Sequence, residues 1–161
     1  MKCNTDGSVA GADRIAGCGG VARDMFGQWI FGFCRNLGSS NVLWTELWAI
    51  HTMLHLAWER RVPKVVIESD SAVAVNLIID GCPVLHPYDS LVLQIREWRQ
   101  KNWEVIILHI YREANRVADC LANLAHSFLV GVHVLDVPPS SCRDLLFADC
   151  TGVSFPRSAL V

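Results

Sequence analysis

The stretch that most constrains the fold is Val65-Val66-Ile67-Glu68-Ser69-Asp70-Ser71. Three branched aliphatics in succession read as a strand buried on both faces, as in a parallel sheet. The run then turns polar, and a helical pattern follows from Ala72 to Asp80, closed by Gly81. Asp70 therefore stands where a buried strand gives way to a helix. In open α/β sheets, ligands bind beyond the carboxyl ends of the strands. Taken alone, the same residues also read as a helix cap, supplied by Ser71 or Asp70. The remainder of the chain decides between the two.

Before that stretch, Lys2 to Ser8 has weak strand character, and Asp6-Gly7-Ser8 reads as a turn that would stop it. Ile15 to Arg23 carries Gly17, Gly19 and Gly20, which suit a strand with close backbone approach or a bulge. No helix follows these glycines, so they are not a phosphate-binding loop. Asp24-Met25-Phe26-Gly27 reads as a turn and Gln28 to Arg35 as the partner strand of a hairpin. Asn41 to Arg60 is a long amphipathic helix with Val42, Leu43, Ala49, Ile50, Met53 and Ala57 on one face. Glu46 interrupts that apolar stripe, and a charge facing a core needs a partner or a metal, unless it lies at the rim and reaches water. The tryptophans of this helix read as packing groups, and His51 and His55 as rim residues.

After Gly81 come a proline-containing connection and an amphipathic helix from Tyr88 to Lys101. A buried strand follows from Glu104 to Tyr111, then the link Arg112-Glu113-Ala114. Asn115 is placed to cap a last helix running to about Val130, with Asp119 beside its core stripe near the positive helix end. Residues 131–161 change character and read as a partly irregular tail after a domain of residues 1–130; Leu145-Leu146-Phe147 alone suggests a short helix.

Composition supports one globular domain: 161 residues, 52% hydrophobic and 19% charged. A formal net charge of −2 excludes a strong basic field, so nucleic acid would have to be held by local groups. The seven cysteines are an odd number without a CxxC pair, and those in periodic stretches, Cys34 and Cys120, read as small buried hydrophobes of a reducing compartment. No signal core or bilayer-length apolar run is present, so the chain is expected in the nucleus or cytoplasm, not secreted, without a membrane partner, and monomeric.

The element order, a hairpin followed by βαβ units, predicts an α/β fold with a mixed sheet and helices on its faces. Right-handed crossovers can set the first and fourth strands side by side. Asp6 and Asp70 would then emerge from neighbouring strands about 5 Å apart, within reach of Glu46 and Asp119. Four carboxylates at one point repel, and at least one should keep its proton unless cations intervene. Magnesium, which prefers hard oxygen ligands and keeps waters for a phosphate substrate, resolves the repulsion. Two such ions suit an in-line phosphodiester displacement without a protein nucleophile.

Asn4-Thr5-Asp6-Gly7-Ser8, Thr45-Glu46-Leu47-Trp48-Ala49, Glu68-Ser69-Asp70-Ser71 and Arg112-Glu113-Ala114-Asn115-Arg116-Val117-Ala118-Asp119-Cys120-Leu121-Ala122 resemble, in order and spacing, the motifs of the ribonuclease H type 1 domain. The likeness is to its plant branch, related to non-LTR retroelement reverse transcriptases, and covers about Met1 to Phe128. The ending Thr151 to Arg157 resembles tails of the same plant proteins. The resemblance implies a ribonuclease H-like fold with a five-stranded mixed sheet of order 3-2-1-4-5. It also implies an endonuclease that cuts the RNA strand of RNA–DNA hybrids with two magnesium ions, or manganese in their place. Catalytic and metal-ligand roles fall on Asp6, Glu46, Asp70 and Asp119. Contacts to the nucleic-acid backbone fall on Ser8, Ser71 and Asn115, which read equally as turn and cap residues.

Three departures stand out. The short link holds no histidine, whereas family members often carry one there that assists product release. The basic, aromatic protrusion is replaced by Cys82-Pro83-Val84-Leu85-His86-Pro87. The first strand of the family begins several residues before Met1, so the chain reads as a fragment or a truncated gene product. These departures keep open an alternative, a catalytically weak or inactive retroelement-derived nucleic-acid-binding module.

Overall fold

The computed structural model describes residues 1–83 and 85–151. Six strands form one mixed sheet: β1 (Lys2–Ala10), β2 (Ile15–Arg23), β3 (Trp29–Ser39), β4 (Lys64–Ser69), β5 (Glu104–His109) and β6 (Gly131–Leu135). Their spatial order is β5-β4-β1-β2-β3-β6. β4 is parallel to both β1 and β5, whereas β2, β3 and β6 run antiparallel to their neighbours. The helices are α1 (Val42–Glu59), α2 (Ala72–Asp80), α3 (Asp89–Gln100), α4 (Arg116–Leu124) and α5 (Ser140–Thr151).

Two layers of helix cover the sheet. On one face α1, α2 and α3 bury Cys3, Phe33, Val65, Ile67 and Ile107 beneath Leu47, Ile50, Met53 and Ile95. On the other, α4 and α5 cover Val21 and Cys34 with Val117, Leu121, Cys142 and Leu146. Among the described residues, α4 of this second layer packs on β1, β2 and β3. Hence Val66 of β4 is half-buried, and β5, expected as a buried strand, is an edge strand in which Ile107 alone is buried. Small residues fill β2 because it is pressed from both sides.

The first strand does not stop at Asp6-Gly7-Ser8. β1 runs on to Ala10, paired with β2 from Lys2↔Arg23 to Ala10↔Ile15, and the hairpin turns at Gly11 (φ 71°) and Arg14 (φ 51°). Gly7 serves packing instead. A Cβ there would overlap Thr45 Oγ1 and lie 2.7 Å from the backbone nitrogen of Glu46, so α1 crosses β1 against bare backbone. Gly19, opposite Asp6 in the ladder, does the same for α4: a Cβ there would meet the backbone of Leu121 and Ala122. Thus the strand carrying Asp6 and its neighbour accept one helix on each face at near-contact distance.

The segment expected as an irregular tail continues the fold. The last helix ends at Leu124 rather than Val130; a single 3-10 turn follows, and Phe128 is already extended. Asn36 donates from Nδ2 to the Phe128 carbonyl at 2.8 Å, drawing the chain onto the β3 edge, where β6 makes the sixth strand absent from the 3-2-1-4-5 order. α5 then returns over the sheet, and Asp149 forms a 2.7 Å ion pair with Arg23, whose other amine donates to Asn4 Oδ1. The short helix suggested by Leu145-Leu146-Phe147 lies within α5. The tail-like ending Thr151 to Arg157 extends outside the described residues.

The close crossing of α1 makes a direct prediction. Gly7→Ala would overpack the junction and cost about 1–3 kcal/mol. Thermal denaturation should show a melting temperature lowered by several degrees, and a wild-type melt would contradict the crossing geometry.

Candidate active site

The pairing of β1 with β4 ends at Thr5↔Ser69, but β1 continues. The next residue on each strand is an acid, Asp6 and Asp70. Side chains alternate along a strand, so Asp6 shares a face with Asn4 and Ser8, beneath α4. Glu46 comes from α1 on the opposite face and reaches Asp6 where β4 no longer fills the flank of β1. Carboxylate oxygens of Asp6, Glu46 and Asp70 lie within 4.8 Å of one another.

Two acids of this trio are held from the protein side. Glu46 accepts a hydrogen bond from the Gly7 backbone N–H. Asp70 Oδ1 accepts from Asn115 Nδ2 at 3.0 Å, and the same Nδ2 donates to the Thr5 carbonyl at 2.9 Å. Asn115 therefore bridges the split between the two strands. Its side chain makes no capping bond to α4, contrary to the cap expected from sequence. Ser71 does cap α2, accepting from the Ala74 N–H at 3.3 Å. Ser8 donates to Asn123 Oδ1 at 2.7 Å and lies 3.0 Å from His126 Nε2. Of the three expected backbone contacts, Ser8 Oγ, Ser71 Oγ and Asn115 Nδ2 are thus engaged within the protein, whereas Asn115 Oδ1 is buried without a partner.

Asp119, expected in the same pocket, is not one of the three mutually close acids. Its carboxylate, 39% exposed, lies 3.7 Å from Arg112 Nη2, yet its charge still adds to the repulsion felt by Asp6. Sequence reasoning missed Arg112. A link of six residues, 110–115, half of it a single 3-10 turn, is too short to carry its side chains far from the strand ends, and that brevity was the available signal.

Electrostatics follow from the geometry. Burial, then the charges of Glu46, Asp70 and Asp119, push the Asp6 carboxyl up to about 9. Burial and the charge of Asp70 raise Glu46 to about 8, against the pull of the Gly7 N–H and Arg112. Glu46 Oε2 is buried with no hydrogen-bond partner. The site thus holds protons that it would exchange for cations, and its donor set, carboxylate oxygens alone, suits a hard divalent ion.

Residues 4–125 match the family described as reverse transcriptase-like. The chain belongs to that family. An Arabidopsis thaliana protein named as a ribonuclease H protein is 43% identical over 157 residues, which is 98% of this chain and 25% of the relative. The chain thus spans a quarter of the length of that relative. Among solved structures, RNase H1 of the archaeon Halobacterium salinarum superposes with a TM-score of 0.72 at 21% identity, covering 78% of this chain and 96% of that one. LC11-RNase H1, solved with an RNA/DNA hybrid, gives 0.70 at 22% identity, with 78% and 96% covered. This reverse transcriptase-like chain has the ribonuclease H fold, in the form found in plant retroelement-type proteins.

The raised carboxyls fix the sign of a pH effect. The folded protein binds protons that the unfolded chain releases at ordinary values of 3.8 and 4.5. Without metal, stability should therefore fall as pH rises from about 4.5 to 9. Magnesium should relieve the repulsion and flatten this slope. Melting curves in EDTA and in magnesium between pH 5.5 and 8.5 test both; a metal-free stability that rises over this range would refute the buried acidic cluster.

Proposed function

We propose that this domain is a divalent-metal-dependent endonuclease that hydrolyses the RNA strand of RNA–DNA hybrids. The observation that carries the proposal is the meeting of Asp6, Glu46 and Asp70 at the point where β1 and β4 part. Support comes from the family and from the fold shared with RNase H1 enzymes, one solved with an RNA/DNA hybrid. Asp6, Glu46 and Asp70 would hold the metal, with Asp119 as the fourth acid. Magnesium, or manganese in its place, supplies when bound the activated water and the charge stabilisation of a two-ion phosphodiester hydrolysis.

The residues of the chain have defined tasks in this reading. Asn115 fixes the rotamer of Asp70 and closes the gap in the ladder. The Gly7 N–H fixes Glu46. Arg112 carries a guanidinium, exposed and adjacent to Asp119, into the link where a histidine is expected. It cannot shuttle a proton at neutral pH, but it can pair with a phosphate oxygen as negative charge develops. Ser71 keeps its hydroxyl hydrogen free while accepting its cap bond, so it remains a candidate contact for the hybrid. The wide minor groove of the hybrid and its 2′-hydroxyls are the features such a site would read.

The absence of a histidine in this link favours a second reading, a module that binds hybrid but turns over slowly. One assay separates the two. Purified protein with magnesium should cut a labelled RNA–DNA hybrid, and Asp70→Asn should reduce cutting to background. Folded protein that binds hybrid without cutting it at high concentration would leave only the module. A graded outcome is expected for Arg112→Ala: kcat lower by about tenfold, equivalent to about 1.4 kcal/mol, with hybrid binding little changed. An unchanged kcat would remove Arg112 from the mechanism.

A further inference from the structure

His126 and Asn123, outside the family motifs, form a hydrogen-bonded chain between β1 and α4 through Ser8, the last residue of the first motif. Ser8 follows Asp6 by two residues on the same face of β1. Asn123 follows Asp119 by four residues on the same side of α4. Ser8 Oγ donates to Asn123 Oδ1 at 2.7 Å, and Asn123 Nδ2 donates to the Asp119 carbonyl at 2.9 Å. His126 Nε2 stands 3.0 Å from Ser8 Oγ. The single Ser8 hydrogen is committed to Asn123, so Nε2 carries a hydrogen and donates to Ser8. Nδ1 is then a bare acceptor, and it is buried without a partner. The ring rests on the bare backbone of β2, where a Cβ on Gly17 would lie 3.3 Å from His126 Cε1.

We infer that His126 is a positioning residue that sets Asp119 against Asp6 by way of Ser8 and Asn123. The inference rests on the proposed reading of Asp119 as the fourth acid of the metal site. Glu46 and Asp70 are oriented by hydrogen bonds to their carboxylates, from Gly7 and Asn115. Asp119, half-exposed and 3.7 Å from Arg112, lies outside the close trio. The relay bonds its backbone carbonyl instead, tying the first turns of α4 to the strand that carries Asp6. The bonds run in one direction, from His126 to Ser8 to Asn123 to the Asp119 carbonyl.

Two substitutions separate the hydrogen bond from the shape of the ring. His126→Phe keeps a ring and loses the donor, whereas His126→Gln keeps an N–H and loses the ring. The readout is the half-saturating magnesium concentration, fitted from the dependence of melting temperature on magnesium. It does not require cleavage. Loss of one such hydrogen bond should raise that concentration about 3- to 10-fold in His126→Phe, with His126→Gln close to wild type. The inference is overturned if His126→Phe keeps the wild-type magnesium dependence, or if both variants shift equally. It is also overturned if Asp119→Asn leaves that dependence unchanged. If the wild type is stabilised by magnesium but cuts no hybrid, the nuclease proposal fails while these melts still decide the relay.

Discussion

The site exists because two parallel strands separate one residue before their acids. Had the β1–β4 ladder continued past Thr5↔Ser69, the flank of β1 at Asp6 would be filled by backbone. Glu46 could not then reach across from the other side of the sheet. The opening exposes the Thr5 carbonyl, which would otherwise be left without a partner in a largely buried place, and such loss is costly. Asn115 answers this with one amide group, bonded to the carbonyl and to Asp70 at once. The same side chain therefore completes a strand and orients an acid.

Holding three carboxylates together requires that folding free energy from elsewhere oppose their repulsion. The near-contact crossings of α1 at Gly7 and α4 at Gly19 supply part of that force, because each brings a well-packed helix to the strands around Asp6. The acids are thus imposed by packing, and their high affinity for protons is the electrostatic record of that imposition. Such perturbed acids in a cleft are expected where charge is to be exchanged for metal or substrate.

Much of this was legible in the chain. The Val65-Val66-Ile67 run, its abrupt polar end, and the charged interruption of the α1 stripe at Glu46 point to the fold and to two of the acids, Asp70 and Glu46. The covering helix, its Asn41 start and the β2–β3 hairpin follow from local pattern. What escaped depended on tertiary contacts. Asp6-Gly7-Ser8 carries a turn signal, and only the approach of α1 gives the glycine its other meaning. Asn115 stands where a cap residue would, but a backbone carbonyl more than a hundred residues away claims its amide. The β6 strand has too short a pattern to announce itself until the edge of β3 offers it a partner. Arg112 and His126 belong to no periodic pattern; their roles come from what happens to lie beside them.

The Arg23–Asp149 pair changes what counts as the smallest self-sufficient unit. The matched family region stops at residue 125, which invites excision there. A chain so trimmed would lose β6, baring the polar rim of β3 to foreign strands. It would also strand a guanidinium beside Asn4, two residues from the first acid, with its counter-charge gone. The carboxy-terminal helix is in this sense an electrical ground for the interior, and a gene rearrangement that severs it would compromise the nuclease-like half without touching any residue that half is known by.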